Sequence, residues 1–89
     1  MVDAVTDALK LSLKELIIEE CDKEDLTPAD IDNNEPLLGG RLELDSLDVL
    51  QICMAIKTQY NVRIEGNTAA HRALKNINTL AQTIVDKTP

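Results

Sequence analysis

Apolar residues recur at three- and four-residue steps in the two long segments of this chain. That period belongs to an α-helix and excludes a strand, whose faces alternate every two residues. Over residues 2–21 the series is Val2, Val5, Leu9, Leu13, Leu16 and Ile17, opposite Asp3, Asp7, Lys10, Lys14 and Glu15. From Leu47 onward the run is denser: Val49, Leu50, Ile52, Cys53, Met54, Ala55, Ile56 and Tyr60. This second helix carries two apolar rows, one of Leu47, Leu50 and Met54, the other of Val49, Ile52, Cys53, Ile56 and Tyr60. A chain of 89 residues builds a single core, so only one row can face it. The other row either touches a neighbouring loop or forms an exposed contact surface.

The connections have their own chemistry. Thr27-Pro28-Ala29-Asp30 reads as one capped turn, with Pro at its first position and Asp at its third. Asn33-Asn34-Glu35-Pro36 breaks the chain, and Leu37 and Leu38 are expected to anchor a long loop before Gly39-Gly40. Asp45 is placed to cap the second helix with Asp48 reaching back, which makes Ser46 its first residue. Asn61 ends it, Val62-Arg63-Ile64 is extended, Gly66-Asn67 turns, and a short helix is expected over Thr68–Arg72. The last helix is expected to start at Thr79, spaced from Gln82 as in a capping box, with Leu80, Ala81, Ile84 and Val85 inward. The expected fold is all-α: a small four-helix bundle, three main helices plus one short one, with a long first loop, in a single domain over residues 1–89.

Composition excludes several functions. Tyr60 is the sole aromatic residue, so no stacking platform for single-stranded nucleic acid can be built. The formal charge is −7, and an acidic surface repels phosphate while it attracts basic protein. That acidity is uneven: residues 1–38 hold eleven acids and three bases, whereas residues 39–89 hold five acids and six bases. No run approaches the ~20 apolar residues of a membrane span, and no secretion signal opens the chain, so a cytoplasmic protein is expected. Cys21 and Cys53 lack the spacing of a redox or zinc motif and are expected to be buried, reduced thiols.

Little here suits catalysis. His71 is the only histidine, and neither Ser12 nor Ser46 lies in a nucleophile-elbow pattern. The pairs Glu19-Glu20 and Asp30-Asp32 have no apolar pocket to raise a pKa. Asp30-Ile31-Asp32-Asn33-Asn34 lacks the register of a calcium loop, and no metal site is expected. Ser46 stands apart. A hydroxyl at the start of a helix, just after a long loop, is exposed where backbone N–H groups and the helix dipole favour an attached anion. Asp45 and Asp48 oppose such an anion, and an ordinary first-turn serine beside an ordinary cap accounts for the same residues equally well.

Leu44-Asp45-Ser46-Leu47-Asp48, continuing as Val49-Leu50-Gln51-Ile52-Cys53-Met54-Ala55-Ile56, resembles the attachment motif of acyl carrier proteins. The resemblance covers nearly all the chain: an amphipathic first helix, a Pro-containing loop, paired leucines before Gly-Gly, Tyr60-Asn61-Val62-Arg63-Ile64 and a final helix with Thr79. It implies that Ser46 carries 4′-phosphopantetheine, transferred from coenzyme A by a separate phosphopantetheinyl transferase. The arm's thiol would then hold acyl groups as thioesters, and the chain itself would be no enzyme. Asp45, Leu47, Asp48, Leu50 and Met54 would meet basic docking patches on acyl-transferring, condensing and reducing enzymes. Ile52, Ile56 and Ile64 would line an acyl chain folded between the helices. A monomer is expected, since such contacts are transient.

The chain departs from the family where Gln51 replaces a frequent Glu and where Lys57, Thr58, Gln59 and Arg63 replace further acids. Residues 43–63 thus hold three acids and two bases, which suggests a specialised carrier for a polyketide, aryl-polyene or lipid-modifying pathway. Gly39-Gly40 is similar to peptidyl carrier domains, but Arg41-Leu42-Glu43-Leu44-Asp45 intervenes and Asp rather than His precedes Ser46. A helical adaptor with no prosthetic group is the alternative from another class.

Overall fold

The computed structural model describes residues 5–38, 40, 42 and 44–88, with Asn67 described by its backbone alone. Among the described residues four α-helices follow one another, α1 (Asp7–Glu20), α2 (Ser46–Tyr60), α3 (Asn67–Ala73) and α4 (Ile77–Lys87), with one 3₁₀ turn at Pro28–Asp30 between the first two. Among the described residues there is no strand, only one isolated bridge between Leu38 and Leu44. The bundle expected from periodicity is the fold observed. α1 packs against both α2 and α4, and α3 lies on α4.

Helix ends follow local side-chain chemistry. Thr6 caps α1 by accepting from the Leu9 N–H at 3.1 Å. Val2 and Asp3 lie outside the described residues. Around the 3₁₀ turn, the Asp30 carboxylate accepts from the Thr27 N–H and from its hydroxyl, as the sequence suggested. Asn61 takes a left-handed conformation, φ 57°, at the end of α2, where its N–H donates to the Lys57 carbonyl; Asn adopts this conformation more readily than most residues.

Two expectations are corrected. α4 begins at Ile77, not Thr79: Asn76 is the cap, its side-chain oxygen accepting from the Thr79 N–H at 2.7 Å. Thr79 is therefore the third helical residue, and Gln82 donates to Asp86 instead of closing a box. The early start adds Ile77 to the core. The long first loop is also held by more than two leucines, because Ile31, Leu42 and Leu44 are buried beside Leu37 while Leu38 is half-buried. Backbone bonds tie this loop to the far side of the bundle, from Leu37 N–H to the Lys75 carbonyl and from Asn78 N–H to the Asn33 carbonyl. Gly40 passes so close to Pro36 that a β-carbon there would lie 2.7 Å from its carbonyl oxygen. Gly39 lies outside the described residues.

The core is wholly aliphatic among the described residues, with Leu13, Ile17, Ile52, Ile56, Leu74, Ile77, Leu80 and Ile84 fully enclosed. Tyr60 does not enter it. Half-buried, its hydroxyl meets Ser12 Oγ at 2.6 Å and ties the end of α2 to α1.

Candidate functional site

α2 sorts its two apolar rows as the single-core argument requires. Ile52 and Ile56 have no exposed surface and Val49 is buried, whereas Leu47, Leu50 and Met54 are 72%, 56% and 58% exposed. Cys53 and Tyr60, placed on the inner row by spacing, are half-buried at its margin. The outer row is therefore an open apolar stripe and does not pack against a loop.

At the head of this stripe the helix start is locked by a reciprocal pair. Asp45 Oδ1 accepts from the Asp48 N–H at 3.0 Å, and Asp48 Oδ2 accepts from the Asp45 N–H at 3.1 Å. Buried Leu44 fixes the chain just before this box, and buried Val49 fixes it just after. Between them Ser46 is exposed at the first helical position. Two N–H groups, of Ser46 and Leu47, have no acceptor among the described residues and lie at the positive end of a helix dipole beside an exposed hydroxyl. An attached phosphate monoanion fits that environment.

One contact at this end escaped the sequence reading. Cys21, at the C-cap of α1, lies against the Asp48 carboxylate. Burial, with the charge and hydrogen-bonding of Asp48, pushes its thiol up to about 12. Burial also pushes the Cys53 thiol up. Both cysteines are free and half-buried, less enclosed than expected. A thiol with a raised pKa is a poor nucleophile, so neither cysteine is primed for chemistry. His71 is exposed on α3, and among the described residues no group of His, Cys, Asp or Glu is placed to hold a metal ion.

Ile64 is half-buried and lines a shallow groove of about 420 Å³ with Leu50, Cys53 and Met54, whereas Ile52 and Ile56 lie beneath it in the core. Lys57 and Arg63 also border this groove.

Comparison with known families gives the decisive observation: residues 11–84 match the family described as phosphopantetheine attachment site. The chain belongs to that family. Phosphopantetheine-attachment domains carry a 4′-phosphopantetheine prosthetic group; in general they are non-catalytic and are modified by a separate transferase. The match runs from within α1 to within α4, so it takes in α2, α3 and most of the two outer helices as well as the motif around Ser46. No curated protein and no solved structure gives a significant match to the chain. Among the described residues, no helix is long and apolar enough to cross a membrane.

Proposed function

We propose that this phosphopantetheine carrier is an acyl carrier protein, holding acyl intermediates as thioesters and delivering them to enzymes of fatty-acid, polyketide or related lipid biosynthesis. The observation that supports it is the exposed Ser46 hydroxyl, held at the start of α2 by the Asp45–Asp48 box, beside two N–H groups that have no acceptor among the described residues. Ser46 is the attachment residue in this reading. The arm supplies a flexible thiol on which an acyl group is carried.

The protein's own part is to orient and present. Asp45 and Asp48 use one carboxylate oxygen each to hold the helix start; Asp45 is exposed and Asp48 half-buried beside Cys21, and a basic patch on a transferase or an acyl-processing enzyme meets their charge. Leu47, Leu50 and Met54 supply the apolar centre of the same contact, and their exposure without a partner in the fold favours that role over a packing one. Ile64 is placed to meet an acyl chain in the groove. Ile52 and Ile56 could line one only if the helices parted, because they have no surface at rest. A soluble cytoplasmic monomer suits such a carrier.

The acyl reading is favoured over a peptidyl one by Asp45 before Ser46 and by the residues that separate Gly40 from it. Incubation with coenzyme A, magnesium and a broad-specificity phosphopantetheinyl transferase should add one phosphopantetheine to the chain and none to Ser46→Ala. An unmodified wild-type chain would contradict the proposal and leave the helical adaptor in its place.

A further inference from the structure

The exposed stripe of α2 does not end in neutral surface. Lys57 continues the row of Leu47, Leu50 and Met54 by one more helical turn, and there the helix meets Arg63 from the following segment and Lys87 from the last turn of α4. These three cations and Asn61 line one open cleft of about 520 Å³. Among the described residues counter-charge is scarce in it. Arg63 pairs with Glu65 at 3.1 Å, both largely exposed, while Lys57 donates to the neutral Asn61 side chain at 3.2 Å. Asp86, beside Lys87 in sequence, is engaged by Gln82. Among the described residues neither Lys57 nor Lys87 has a carboxylate within ion-pair distance.

The chain has sixteen acids and nine bases, yet a third of those bases share this cleft, at the opposite end of the stripe from Asp45 and Asp48. The surface is thus ordered acidic, apolar, basic along the ten helical steps from Leu47 to Lys57, a length of about 15 Å at 1.5 Å per residue. Resting on the carrier reading, we propose that this stripe docks a partner enzyme whose surface carries the opposite order: a basic patch facing Asp45 and Asp48, an apolar pocket for Leu50 and Met54, and an acidic patch facing Lys57, Arg63 and Lys87. A uniformly basic partner is repelled at the far end of the stripe, since like charges are there brought together across the interface. The basic cleft therefore selects among partners, and its polarity fixes the direction in which they bind. Nucleic acid does not fit, because the acidic end of the same stripe and the net charge of −7 oppose it.

The test is photo-crosslinking of the full chain in its native host, with p-benzoylphenylalanine replacing Thr58, which is exposed on the rim of the groove. The captured peptide is mapped by mass spectrometry. It should come from another protein and be rich in Asp and Glu. The triple variant Lys57→Glu, Arg63→Glu, Lys87→Glu should lower the yield roughly tenfold or more, and exchanging the mapped acids for Lys should restore it. The neutral variant Lys57→Gln, Arg63→Gln, Lys87→Gln should fall between. Capture of a basic peptide, capture of a second copy of this chain, no capture, or a yield that ignores charge reversal would overturn the proposal. Ser46→Ala in the same background separates the two readings, because surface pairing needs no arm: the charge-dependent crosslink should persist there, whereas failure of the wild-type chain to accept phosphopantetheine counts against the carrier reading alone.

Discussion

The inner and outer flanks of α2 are built from the same residue types and meet opposite fates. Ile52 and Ile56 on one side are fully enclosed, while Leu47, Leu50 and Met54 on the other lie more than half exposed to water. Exposing an apolar row forgoes stabilisation of ~1.5–3 kcal/mol per side chain that burial would provide. Folding gains little from it. The inner flank holds the bundle, and on the proposed carrier reading the outer flank is the surface that meets a partner. Ser46 lies at the head of the helix that carries both.

The comparison is broken most easily by truncation. Ile56→Ala should lose about 2–5 kcal/mol of unfolding free energy, the usual range for emptying a filled core site. Leu50→Ala should change it by less than about 0.5 kcal/mol. Urea denaturation reads both, and equal midpoints would mean that the flanks are not energetically distinct. A smaller effect tests the box between them. Asp45→Ala removes the acceptor for the Asp48 N–H and should cost about 1 kcal/mol; a change below about 0.3 kcal/mol would show the start of α2 held by Leu44 and Val49 alone.

The smallest effect lies at Cys21. Its folded pKa is raised above the ordinary 9.0 to about 12, so the folded state binds the thiol proton more tightly than the unfolded chain does. That stabilisation is complete below pH 9 and is lost as pH climbs toward 12. Being half-buried, the thiol contributes modestly. Alkylation at pH 8 should accordingly be slower at Cys21 in the folded protein than in urea, and equal rates would contradict the raised value.

Much of this was legible in the sequence because it is local. The two rows of α2 follow from three- and four-residue spacing, Asp45 and Asp48 from cap chemistry, and the 3₁₀ turn from Thr27, Pro28 and Asp30. What escaped depends on packing between distant segments. Asn76 and Thr79 are both acceptable caps by residue type, and the choice fell to Asn76 because Ile77 has a place in the core. Ile31, Leu42 and Leu44 carry no periodic signal, since irregular loops have none. Cys21 against Asp48, and Lys87 beside Lys57 and Arg63, are contacts across tens of residues that only the folded bundle creates.

Intact-mass spectrometry of the protein matured in its native host, followed by fragmentation of the peptide that contains Leu44 to Met54, tests whether Ser46 carries the arm. A single phosphopantetheine localised to the Ser46 hydroxyl is the expected result. Fully matured protein at its unmodified mass, or an arm attached at any other residue, would contradict the account.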